Sequence, residues 1–235
     1  MMYRLLFVLS LSTSLFARAQ GYQAPNIPFD TYDFYPPMKI DLILAGNFGV
    51  TPLNAYANAL TFALFGLVGG EAGPTAMRTT AAIAGVLGVL AVYALAAELR
   101  HLDPRRLTFA FPLLAAAVLA TLRWHIHFSR MGIEPIFVPL LWAAATWLLL
   151  RGWRLQSWAS FAGCGLMLAL AMYAYQGAWI IPFLMLPVVL HLWLSDGPQR
   201  RSARLRGPLV AAGVALLLVL PLAWFFVNNP DLLLL

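Results

Sequence analysis

Residues 77–99 read MRTTAAIAGVLGVLAVYALAAEL. As an α-helix of ~1.5 Å rise per residue this stretch is about 35 Å long, enough to cross the ~30 Å hydrocarbon core of a bilayer. Gly85 and Gly88 among the alanines mark a helix that other helices approach closely. A short basic loop, RHLDPRR, follows, and five more apolar runs lie beyond it at 107–122, 136–150, 158–173, 178–194 and 208–227. Of the 235 residues 62% are hydrophobic and 10% charged, against roughly 25% charged in soluble domains. The mean hydropathy is +0.79. The expectation is an all-α fold, a polytopic transmembrane helix bundle of about six spans. The net charge of +6 does not point to nucleic acid, because most of the basic residues sit in short loops between apolar runs, where they act as topology signals. The single cysteine, Cys164, lies inside an apolar run and reads as a small hydrophobe.

Three regions are expected. Residues 1–20 are a signal-like segment or a short first membrane helix. Arg4 precedes an apolar stretch from Leu5 to Phe16, and Ala17-Arg18-Ala19 has the form of a cleavage site. Residues 21–76 form a long outer loop, rich in Pro, Asn, Asp, Gly and Tyr and holding Asp30, Asp33 and Asp41. Long irregular loops are often functional. Within it, residues 54–70 suit an amphipathic helix on the membrane surface, with Asn54 and Asn58 at i, i+4. Residues 77–235 are the transmembrane bundle.

With the N-terminus cytoplasmic, the inner loops carry Arg4, Arg100, Arg105, Arg106, Arg151, Arg154, Arg200, Arg201, Arg204 and Arg206, ten of the 15 basic residues. This satisfies the positive-inside rule. The outer side holds Arg18, Lys39, Arg78, Arg123 and Arg130. Arg123 and Arg130 break the rule together, inside the segment TLRWHIHFSRMGIEP at 121–135. On a helix, Arg123, His127, Arg130 and Glu134 fall at i, i+4, i+7 and i+11, one face. Three potential cations on one face at a bilayer edge form a seat for an anionic head group. Snorkelling to lipid head groups is the competing account of the arginines. His125 and His127 at i, i+2 do not share a face, which argues against a metal pair. Glu134 at i+4 from Arg130 is also placed for a simple ion pair.

Four stretches carry a resemblance: NFGVTPLNAYANALTFALFG, MRTTAAIAGVLGVLAVYALAAEL, RWHIHFSRMGIEPIFVPLLWAAATWLLLRG and GLMLALAMYAYQGAWIIPFLMLPVVL, in that order. Together, over roughly residues 45–235, the chain resembles the membrane half of the bacterial GT-C glycosyltransferases, the group of the protein O-mannosyltransferases and lipid A aminoarabinose transferases. The resemblance implies a polyprenyl-phosphate sugar donor and a lipid, glycan or protein acceptor. Transfer would occur on the outer face of the cytoplasmic (inner) membrane, among membrane lipids and without nucleic acid. It further implies an acid in the first outer loop, usually within an Asp-Glu pair, as base or metal contact, and basic residues in later outer loops on the lipid phosphate. A divalent metal is compatible with this, and no residue is assigned to one.

The chain contains no Asp-Glu pair; Asp30 and Asp33 are the nearest acids. They are the candidate catalytic carboxylates, with turn-forming aspartates as the alternative. Arg123, His125, His127 and Arg130 are the candidate phosphate-binding residues. Glu134, Tyr175 and Gln176 are supporting, although an aromatic belt accounts for the tyrosines equally well. Sugar transfer from a phosphate needs a base for the acceptor hydroxyl and positive charge for the leaving phosphate. The missing pair and the small number of spans leave a non-catalytic or truncated member of this class as the alternative. A small-solute transporter ranks below both, because internal repeats and charge deep inside a span are lacking.

Overall fold

The computed structural model describes residues 52–70 and 73–228, with the side chains of 198–203 left out. The signal-like segment and Asp30, Asp33 and Asp41 lie outside the described residues. Eight α-helices follow in order: α1 Leu53–Leu67, α2 Pro74–Leu102, α3 Phe111–Thr121, α4 Arg123–Met131, α5 Phe137–Leu155, α6 Trp158–Ala174, α7 Ile181–Ser195 and α8 Pro198–Asn228. Short 3-10 turns at Glu134–Ile136 and Gln176–Ile180 lead into α5 and α7.

Each of the six apolar runs falls on a helix. Four segments are long and apolar enough to cross a membrane: Pro74–Leu102, Glu134–Leu155, Gln176–Ser195 and Arg204–Asn228. Helices α3 and α4, bent by 58° at Leu122, make a fifth candidate. Helix α6, of 17 residues, is apolar but shorter. The described residues form a multi-pass, all-helical membrane bundle. The basic stretch after Asp196, expected to be a loop, is instead the start of α8. Proline is tolerated at a helix start, where its missing N–H has no partner to lose, and arginines are good helix formers. Pro198 and the arginines after it therefore extend the helix.

The broadest packing runs α2–α5–α6–α8, with α3, α4 and α1 against α2. Small residues set how closely these helices approach. A Cβ at Gly165 would overlap the Ala211 carbonyl of α8, and one at Gly207 would overlap the Phe161 ring. Cys164 is buried in this core and packs as a small hydrophobe. Bulky apolar side chains point outward from α1, α7 and α8, among them Leu64, Leu186 and Leu216, as a lipid-facing surface requires.

The bundle has two ends. At one, Gly132 presses on Met77 near the start of α2. At the other, Arg154 near the end of α5 clasps Glu98 near the end of α2. The antiparallel course of α5 and α6 brings Tyr175 and Gln176 to the first end, the rim.

Candidate phosphate-binding rim

Helix α4 exists because Leu122 breaks the preceding one. Its extended backbone (φ −66°, ψ 120°) caps α4 at the N-terminal side. Gly132, at φ 74°, ends α4 in the left-handed conformation that glycine adopts without Cβ strain. The nine residues between divide into two faces.

The inner face holds His125, only 7% exposed. Its Nε2 lies 3.1 Å from the Gly85 carbonyl oxygen of α2. A carbonyl can only accept, so Nε2 carries the hydrogen. Ser129 Oγ donates back to the His125 carbonyl at 2.7 Å. Gly85 and Gly88 supply the space: a Cβ at Gly85 would overlap Ser129, and one at Gly88 would meet His125 Cε1 at 3.4 Å. The close approach read from these glycines is therefore made by α4.

The outer face exposes Arg123, Trp124, His127 and Arg130. Trp124 stacks on Phe128 with centroids 4.1 Å apart, and His127 meets the same ring edge-on at 5.6 Å. Neither Arg123 nor Arg130 has an ion pair among the described residues. Arg78, at the start of α2, is exposed at the same end and equally unpaired among them.

The structure separates the residues that the sequence put together. Arg123, His127 and Arg130 share the exposed face. His125 is turned inward and committed to Gly85. Glu134 lies past the end of α4, so it does not continue the helical stripe; Gly132 interrupts the periodicity. Nor does Glu134 pair with Arg130 among the described residues. Its Oε1 accepts from Asn54 Nδ2 at 3.3 Å. Tyr175 and Gln176 are exposed at the rim end, after α6.

Asn54 belongs to a buried polar seam that sequence reading missed. Asn54, Asn58 and Thr61 on α1 and Thr80 on α2 are all buried. Asn58 Nδ2 donates to Asn54 Oδ1 at 3.4 Å. Thr80 Oγ1 donates to Thr61 Oγ1 at 2.8 Å, and Thr61 Oγ1 to the Ala57 carbonyl at 3.1 Å. The i, i+4 asparagines were the available signal. In a lipid-facing helix the polar stripe turns inward and the leucines outward, the reverse of a soluble helix.

Beside the seam, α1, α6 and α8 enclose an open, apolar groove of about 310 Å³, with Leu53, Tyr56, Leu166, Leu170, Tyr173 and Leu218 among its lining residues. Tyr173 donates its hydroxyl to the Leu218 carbonyl at 3.0 Å. Among the described residues, to which Asp30, Asp33 and Asp41 do not belong, no three His, Cys, Asp or Glu side chains gather as a metal site.

A multi-pass helical bundle with cations unpaired among the described residues at its rim, and with an apolar groove between other helices, has features that a membrane glycosyltransferase could use. Residues 50–225 match the model of the family described as dolichyl-phosphate-mannose-protein mannosyltransferase, and the chain belongs to that family. No curated protein and no solved structure matches it.

Proposed function

We propose that the chain moves a sugar from a polyprenyl-phosphate donor to a lipid, glycan or protein acceptor on the outer face of the cytoplasmic membrane, its own N-terminus being cytoplasmic. The observation that carries this reading is the outer face of α4, where Arg123 and Arg130 stand exposed without an ionic partner among the described residues. Guanidinium groups are suited to bidentate contact with phosphate oxygens. His127, on the same face, adds a further donor. His125 serves as the inward peg that holds α4 against α2.

The acceptor hydroxyl oxygen attacks the anomeric carbon of the sugar. The bond from that carbon to the phosphate oxygen breaks, and its electron pair leaves with the polyprenyl phosphate. Arg123 and Arg130 offset the added charge on the departing phosphate. The hydroxyl proton passes to a carboxylate, for which Asp30 and Asp33 are the candidates. Tyr175 and Gln176 face the sugar, and the apolar groove takes part of the donor's tail.

The description of the family makes polyprenyl-phosphate-mannose the first donor to test. With the full chain in membranes and labelled donor, Arg123→Ala with Arg130→Ala lowers transfer by about 100-fold or more, by analogy with the loss of a charge-stabilising donor. Membrane insertion is unchanged. Unaltered transfer in that variant removes the phosphate role.

A further inference from the structure

Asn54 stands at the start of α1 and is 8% exposed. Its amide nitrogen faces two acceptors, the Gly132 carbonyl at 3.4 Å and Glu134 Oε1 at 3.3 Å. Neither a backbone carbonyl nor an ionised carboxylate can donate, so the NH₂ group must be the one turned toward them. Asn58 fixes the other end of the same amide by donating to Asn54 Oδ1. One side chain therefore ties the exit of α4 and the carboxylate beyond it to α1. In sequence, α1 follows the stretch that carries Asp30 and Asp33.

Glu134 is four positions past Arg130, the separation at which an acid and a base pair across a helical turn. Such a pair would neutralise one of the rim's cations. Gly132 breaks the helix between them, and Asn54 occupies the carboxylate instead. We infer that Asn54 is a positioning residue that keeps Glu134 from pairing with Arg130 and so leaves the Arg130 guanidinium available to an anion. This inference rests on the reading of the rim as a phosphate seat.

The test uses the full chain in phosphatidylcholine nanodiscs, titrated with labelled undecaprenyl monophosphate. Asn54→Ala frees Glu134 and weakens binding by about tenfold, the scale of one charge-assisted contact. Glu134→Gln added to Asn54→Ala restores binding to within about twofold of wild type, because a neutral amide cannot form an ion pair with Arg130. A merely structural role for Asn54 would not be rescued by that second change. Asn54→Ala that binds like wild type, or a double variant as weak as the single one, overturns the inference. Arg123→Ala with Arg130→Ala is the separate control for the seat itself. If it binds like wild type, the phosphate reading falls, and the coupling between Arg130 and Glu134 decides for Asn54. A double-mutant cycle of thermal midpoints between Arg130→Ala and Glu134→Gln that shows coupling in Asn54→Ala and none in wild type then upholds the inference, and no coupling in either background overturns it.

Discussion

The two ends of the bundle treat arginine in opposite ways. At the far end, Arg154 reaches Glu98 with Nε and, at 3.1 Å, with Nη2. Arg204 meets Asp196 at 3.2 Å and donates to the Trp153 carbonyl. Arg106 pairs with Asp103 at 3.6 Å, while Arg100 and Arg151 lie over the rings of Phe109 and Trp147. Arg105 and Arg206, both exposed, have no such partner among the described residues. At the rim, Arg78, Arg123 and Arg130 have no counter-charge among the same residues, and the nearby carboxylate is held by an asparagine. At the far end five arginines have an acid or a ring as partner within the chain. At the rim none of the three has one among the described residues.

Changes at the far end should therefore cost stability and spare chemistry. Arg154→Leu leaves Glu98 without its base. Glu98 itself is 2% exposed, and breaking a buried pair from one side costs about 3–5 kcal/mol. The expected result is a large fall in the thermal midpoint in detergent, with transfer per folded molecule unchanged. Transfer that falls in Arg154→Leu at equal folded protein would break the division between the ends.

A smaller effect sharpens the rim's side of the contrast. Gly85→Ala places a methyl against Ser129 and must shift α4 or its side chains, and overpacking of this kind costs about 1–3 kcal/mol. Because α4 carries the exposed cations, this variant should weaken donor binding more than its stability loss alone implies. Equal donor affinity in titrations of the folded protein would show that α4's seat on α2 does not matter to the rim. The smallest effect belongs to Arg106→Ala. Its pair with Asp103 is solvent-exposed, so stability should move by no more than about 0.5 kcal/mol, as a thermal scan would show, and transfer should not move.

The helices were legible because apolar runs of this length leave lipid-compatible backbone little choice but to satisfy itself internally. The rule-breaking arginines were legible for the same reason, since topology gives Arg123 and Arg130 no explanation. What could not be read was which side of each helix faces in. His125 and His127 look alike in sequence, and only the gap opened by Gly85 and Gly88 decides that the first is buried. The stripe that ran on to Glu134 assumed an unbroken helix, and Gly132 ends it. Asn54 and Asn58 read as a polar surface because the usual expectation of amphipathicity is that of water, not lipid.

The 58° bend at Leu122 has a consequence for how a substrate could arrive. Nine residues of α4 reach along about 13 Å on a course that departs from the span before it. Charges strung on such a crosswise beam can meet a head group drifting within the plane of the leaflet. A donor would then slide in sideways, its tail never leaving oil.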